Sequence, residues 1–384
     1  MGFVFPEGAL WERYRQEFPV TERLIYLNHA AVSPLPRRVA GAMKQLADDA
    51  CEFGSIHYET WLAAYEGVRV AAARLMGAHR DEIAIVKNTS EGICAVAGGL
   101  DWKPGDRVVA FREEFPANYY PWKRLEAKRV QVEWLSITDP LDRVEEACRG
   151  ARLLAVSFVQ YLSGLRADVI ALGEICRSCG CFFFVDAIQG LGAVPLNVEE
   201  AHIDALAADG HKWLLGPEGC GVLYVRREWQ ERIEPVEFGW TNTAQYADYS
   251  SRDMTLRADA GRYECGTLNT IGCFGLQAAL VLILEVDPVR IGPLVVARAD
   301  EIAAGALAKG YEVLGDRSPE TTSGIVSIRH PSLDARLVVR ELKDKGISAA
   351  PRQGWIRFSP HFYISPEDIA KVVDALPAVA GSSA

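Results

Sequence analysis

The sequence has no apolar run long enough to cross a bilayer. Its longest, FGLQAALVLILEV at 274–286, falls short of the roughly 20 residues a spanning helix needs and carries Gln277, so it reads as a buried helix. Basic residues are outnumbered, 41 Lys and Arg against 51 Asp and Glu, for a formal charge of −10. Nucleic acids and anionic membranes both reward clustered cations, so neither is an expected partner, and an anion bound by this chain must be gripped locally. There is no strand–GxGxxG–helix fingerprint. Gly216, Gly219 and Gly221 read as turn residues, which disfavours a dinucleotide-dependent dehydrogenase.

No internal repeat is present, and no low-complexity tract beyond the GSSA tail. The opening MGFVFPEGALWERYRQEFP lacks the basic start and apolar core of a secretory signal, and Pro6 spoils the myristoylation pattern, so this segment is expected to be retained. Nine cysteines, an odd number in a chain too large to need covalent staples, point to free thiols in a reducing cytoplasm. CRSCGC (Cys176, Cys179, Cys181) resembles half of a metal knuckle. The second half is missing, so no metal is expected and the thiols read as buried at a helix end and a strand start.

What is there is an alternating pattern. At 384 residues the chain exceeds one typical hydrophobic core. Trp61, Tyr65, Val68, Ala72 and Leu75 recur at helical spacing and stop at Gly77. Short continuous apolar runs follow: IAIV (83–86), VVAF (108–111), LLAVSFV (153–159), CFFFV (181–185), ALAA (205–208) and GVLYV (221–225). Continuous rather than alternating runs mean burial on both faces, and helices between most of them give an α/β fold with a mostly parallel, wrapped sheet. The last pair, joined by a Gly- and Pro-rich loop, is the place for an antiparallel strand. After about residue 270 the pattern changes to a long helix, GIVSIR (324–329), ARLVVRELKDKG (335–346), WIRFS (355–359) and a helix from Pro366. A smaller α+β domain is expected there: 20–265 as the large domain, 1–19 with 266–384 as the small one.

Open α/β sheets bind ligands beyond the carboxyl ends of their strands. After IAIV come Asn88, Thr89 and Ser90, N-cap residues entering a helix whose free N–H groups and dipole form an anion cup. Ordinary helix capping explains them equally well. After CFFFV comes Asp186, a carboxylate that is costly to bury unpaired, with Gln189 three residues on. After ALAA come Asp209, His211 and Lys212. An anion cup, an acid and an amine suit a cofactor with a phosphate, a protonatable ring nitrogen and an aldehyde, which describes pyridoxal 5′-phosphate. Lys212 would hold the aldehyde as a Schiff base, and Asp186 would pair with the ring nitrogen.

The stretch VDAIQGLGAVPLNVEEAHIDALAADGHKWLLGPEGCGVLYVR resembles the core of the class V aminotransferase family, pyridoxal-phosphate enzymes that include cysteine desulfurases, selenocysteine lyases, isopenicillin N epimerase and kynureninase. YLNHAAVSPLP (26–36), RYECGTLNT (262–270) and WIRFSPHFY (355–363) extend the likeness over nearly the whole chain. It implies fold type I of the pyridoxal-phosphate transferases, with a seven-stranded sheet. Residue by residue, it implies Lys212 as the cofactor lysine, Asp186 as the ring-nitrogen partner and Gln189 as a donor to the ring's phenolic oxygen. Thr89, Ser90 and His211 would hold the phosphate, and Phe115 would stack on the ring. Thr267 would reach the phosphate of a neighbouring subunit, implying a homodimer with shared sites. Arg357 would clamp the substrate α-carboxylate, a task for a planar bidentate donor, with Arg352 as a rival. His29, Ala30 and Tyr161 would line the substrate pocket, His57 being a weaker candidate.

The chain departs from desulfurases in one respect that matters chemically. Their small-domain loop delivers a cysteine, whereas the last cysteine here is Cys273 and GISAAPRQGWIRFSPHFY has none. Tyr161 stands where desulfurases carry Asn, and Asp209 where several relatives have a hydroxyl. A carboxylate would repel a phosphate, so Asp209 is expected to point elsewhere. The resemblance implies an enzyme acting at the α-carbon of an amino acid, with transamination or β-elimination of a C–S bond preferred. Epimerisation, which wants a second base, and a non-catalytic cofactor-binding module are the alternatives.

Overall fold

The structure is a computed structural model and describes residues 8–378. Seven strands form one sheet: β2 (Ile83–Val86), β3 (Arg107–Phe111), β4 (Gln131–Leu135), β5 (Leu153–Ser157), β6 (Phe182–Asp186), β7 (Ala205–Asp209) and β8 (Gly221–Val225), in the order β2-β8-β7-β6-β5-β3-β4. The short strand before them, β1, is Ile25–Tyr26. All pairings are parallel except those of β8, which runs antiparallel to both neighbours. Two reversals restore direction, so β2 ends at the same edge as β7.

The apolar runs are explained by burial on both faces. Val109, Leu154, Phe183, Val185, Leu206 and Ala208 join one core cluster. Their neighbours Val108, Leu153, Phe182, Phe184, Ala205 and Ala207 join another on the opposite side. Period-two alternation therefore survives as a choice between two cores rather than between core and water. β4 was absent from the apolar runs because it is less buried, with Gln131 exposed and only Leu135 buried, whereas β2 at the opposite edge is buried throughout.

The helix Tyr58–Met76 buries Tyr65, Val68, Ala72 and Leu75 and ends at Gly77, whose φ of 70° a side chain would strain. Thr270–Val286, the longest apolar run, packs against that helix and against Arg37–Phe53. No described helix is long and apolar enough to cross a membrane. Cys176 and Cys181 are buried, as read, and meet Cys148 from another helix; Cys179 is only partly buried.

Beyond residue 311 lies a four-stranded antiparallel sheet of β9 (Glu312–Val313), β10 (Val326–Arg329), β12 (Ala350–Arg352) and β13 (Trp355–Phe358), ordered β12-β13-β10-β9. β1 pairs with β11 (Ile347–Ser348). The N-terminal segment packs on the C-terminal one: Phe18 stacks on Tyr363 at 3.6 Å between centroids, and Arg15 bonds Asp368 at 2.7 Å. Residues 1–7 and 379–384, which the sequence reading assigned to the ends of the small domain and to a retained N-terminus, lie outside the described residues.

Candidate active site

Five parallel strand ends converge on one cavity of about 380 Å³. From β2 the chain passes directly into the Thr89–Gly99 helix, whose first turn is capped by Asn88 Oδ1 accepting from Glu91 N at 2.9 Å. Gly92 lets this helix lie against β7: a Cβ there would come within 2.7 Å of the Ala207 methyl. The helix N-terminus, with Thr89 and Ser90, thus opens into the cavity beside the end of β7. The Thr89 hydroxyl accepts from Asp209 N at 3.0 Å, which ties the two strand ends together.

β6 brings Asp186, 3% exposed. Burial pushes its carboxyl up to about 6, opposed by the N–H of Ile188 at 3.1 Å and by the charge of Lys212. Lys212 follows β7. Burial brings its amine down to about 8; Asp186 opposes this, while Arg357 and Arg352 reinforce it. Its Nζ lies 5.7 Å from the centre of the Phe115 ring, which follows β3. Phe115 is 47% exposed, an apolar face left uncovered at the cavity wall, and meets Tyr161 edge-on at 5.3 Å.

Gln189 lines the cavity with its amide held at both ends, Nε2 donating to Ala30 O at 3.0 Å and Oε1 accepting from Trp213 at 3.1 Å. His211 lines it too, with Nδ1 3.0 Å from Asp209 Oδ2. Asp209 borders the cavity too, with Oδ2 beside His211 and Oδ1 buried without a partner among the described residues. From β13 comes Arg357, 2% exposed, which donates to Tyr161 O at 2.6 Å and leaves its Nε buried without a partner.

Ala30, Tyr161 and Arg352 complete the wall among the residues expected from sequence. His29 is not brought to it. Its ring is fully buried, with Nδ1 2.8 Å from Ser359 O and Nε2 2.7 Å from the Tyr363 hydroxyl, and burial holds it neutral, down to about 4. His57 lies on the surface beside Asp49. Thr267 is exposed and lies outside its own chain's cavity. Ser157 and Glu114 escaped the sequence reading. Glu114 is buried next to Phe115 and accepts from Ser157 N at 2.7 Å and from its hydroxyl; burial, then the nearby Asp186, push it up to about 8. The only sequence signal was an acid just past an apolar strand in VVAFREEF.

A second cavity of about 390 Å³, at Arg74, Asn197 and Asp287, gathers none of the strand-end residues. The family model for class-V aminotransferases matches residues 25–369. The chain belongs to that family. It is 30% identical to a probable cysteine desulfurase of Methanothermobacter thermautotrophicus, covering 96% of this chain and 98% of that one. It is also 30% identical to an uncharacterized aminotransferase, YcbU, of Bacillus subtilis, over 96% and 97% of the two chains. Among solved structures, the apo cysteine desulfurase of Thermococcus onnurineus NA1 superposes with a TM-score of 0.87 at 30% identity, covering 94% and 96%.

This class-V aminotransferase relative is therefore a fold-type-I, pyridoxal 5′-phosphate-dependent enzyme, a transferase or a lyase. The cavity fits that cofactor on its own terms. A buried carboxyl lacks a cation in contact, a helix N-terminus presents free donors, an aromatic face stands uncovered, and an amine with a lowered pKa lies between them. Among the described residues no cysteine lines the cavity, and 346–363, where the desulfurase loop was expected, is taken up by β11, β12, a tight turn, β13 and the residues that follow it.

Proposed function

We propose that the chain acts at the α-carbon of an amino acid, either transferring its amino group or eliminating a β-substituent with cleavage of a C–S bond, without a protein thiol as sulfur acceptor. The observation that carries this reading is the pair Asp186 and Lys212, a buried acid at the end of β6 and a buried amine after β7, within a cavity lined by no cysteine among the described residues.

Pyridoxal 5′-phosphate, when bound, supplies an electron sink for charge left on the α-carbon. Thr89, Ser90 and His211 would hold the phosphate at the helix N-terminus, Phe115 would cover the ring, and Gln189 would offer the phenolic oxygen the Nε2 hydrogen not given to Ala30 O. Asp186 keeps the ring nitrogen protonated, because a buried carboxylate is stabilised by the charge it faces. Arg357 takes the α-carboxylate, to which its unpartnered Nε and remaining N–H groups are the strongest donors in reach. Ala30 and Tyr161 bound the side-chain space, with His29 as a support behind them. Lys212 Nζ, its pKa brought down to about 8 by burial, takes the Cα proton and returns it.

A homodimer belongs to this reading: Thr267 is exposed and lies outside its own chain's cavity, as a residue that reaches a partner's phosphate would. A reducing cytoplasm suits the nine free cysteines. The test is product analysis with a panel of amino acids. An α-keto acid formed only with a keto acceptor means transamination; pyruvate, ammonia and a sulfur product without acceptor mean elimination. Racemisation alone, or no change in any amino acid, contradicts the proposal.

A further inference from the structure

Arg352 and Arg357 stand side by side with no carboxylate to answer them. β12 and β13 form an antiparallel hairpin in which Ala350 faces Arg357 and Arg352 faces Trp355. Alternate residues share a face, so both arginines project from the same side of the hairpin, one diagonal step apart. The connecting residues Gln353 and Gly354 have φ of 49° and 82°, the positive values of a two-residue turn that matches strand twist and fixes register. Gln353 Nε2 also donates to the Tyr161 hydroxyl at 2.7 Å, pinning the turn to the cavity wall. Arg352 is therefore presented on a rigid corner.

Both side chains line the cavity that contains Lys212, Arg357 deep and Arg352 exposed at the mouth. Among the described residues neither has an acidic group within 4.0 Å. Arg357 donates to a carbonyl of Tyr161, and Arg352 only to its own neighbour Pro351 at 3.0 Å. Several other half-buried arginines do meet carboxylates, as Arg69 meets Glu264 at 2.6 Å and Arg317 meets Asp300 at 2.7 Å, whereas Arg166 meets only backbone carbonyls. In a protein with ten more acids than bases, two adjacent guanidinium groups without a counter-ion mark a place kept for anions. Their repulsion is felt: after burial, Arg352 is the largest influence lowering Arg357, to about 10. The helix end with Thr89 and Ser90 comes from β2, on a different element from the hairpin that carries the two arginines. One α-carboxylate leaves one of the two guanidinium groups unanswered.

We propose that the substrate is an amino acid with a second anionic group on its side chain, a carboxylate or a sulfinate, and that Arg352 reads that group while Arg357 holds the α-carboxylate. This rests on the proposed reaction at the α-carbon. The deep, buried guanidinium takes the group common to all amino acids, and the one at the mouth takes the group that varies. A planar fork binds either anion bidentately, and selectivity comes from leaving Arg352 uncompensated when a neutral side chain enters.

The test uses the full chain loaded with pyridoxal 5′-phosphate, comparing wild type with R352Q and R352K. Turnover is measured with amino acids bearing anionic and neutral side chains, and calorimetry measures binding of succinate and glutarate against propionate and butyrate. The wild type should favour anionic substrates and dicarboxylates about 10- to 100-fold, and R352Q should erase that ratio, because a charge-assisted hydrogen bond is lost. R352K should restore part of it. Equal kcat/KM for neutral and anionic substrates in the wild type, or an unchanged ratio in R352Q, overturns the proposal. If no amino acid reacts, the reaction at the α-carbon falls, and the dicarboxylate-to-monocarboxylate ratio still decides what Arg352 binds.

Discussion

Asp186 and Lys212, at the ends of adjacent parallel strands, hold each other charged against the burial that would neutralise both. Burial raises the acid to about 6 and lowers the amine to about 8, and in each case the charge of the other group opposes the shift. A ring with a protonated nitrogen on one side and an aldehyde on the other would satisfy both at once.

Replacing Asp186 by Asn keeps shape and removes charge. Cofactor should still bind, because phosphate and stacking contacts remain, while turnover falls at least about 100-fold, the scale of losing one electrostatic partner to developing charge. The folded carboxyl is raised above its unfolded value of 3.8, so ionisation costs the apoprotein stability as pH rises from about 4 through about 6. D186N apoprotein should accordingly melt higher than wild type at pH 7.5 in calorimetry. A lower melting temperature contradicts the assigned burial.

Glu114 gives an independent pH signature. Its folded pKa of about 8 lies above the ordinary carboxyl value of 4.5, so the folded state keeps a proton that the unfolded chain releases. Stability should fall as pH rises between those values. Thermal melts of the apoprotein from pH 5 to 9 should show a shallower decline in Glu114→Gln, which retains an acceptor for Ser157 N.

Arg357→Lys removes the fork and leaves a point charge. KM for the amino acid should rise about tenfold or more with cofactor affinity unchanged, since charged hydrogen bonds contribute on that scale. Steady-state kinetics and a cofactor titration separate the two effects.

Phe115→Ala should weaken cofactor binding by about 2- to 10-fold, the range for a single aromatic stack. Fluorescence titration of the apoprotein reads this directly.

The strand ends were legible because chemistry-bearing residues directly follow apolar runs: Asp186 after CFFFV, Lys212 after ALAA, Thr89 after IAIV. Burial on both faces made those runs continuous and easy to see. β4 was hidden because, of its five residues, only Leu135 is buried. His29 misled because a motif gives position along the chain and not side-chain direction; here the ring turns to Ser359 and Tyr363. Cys148 could not be joined to Cys176 and Cys181 from sequence, since a separate helix brings it in. The pairing of Arg352 with Arg357 needed the hairpin register.

The most direct measurement is to load the purified protein with pyridoxal 5′-phosphate, reduce it with borohydride and map the modified peptide by mass spectrometry. The account predicts a single phosphopyridoxyl group on the Nζ of Lys212, absent in Lys212→Ala. A colourless protein after loading, or a label on any other lysine with Lys212 unmodified, would contradict it.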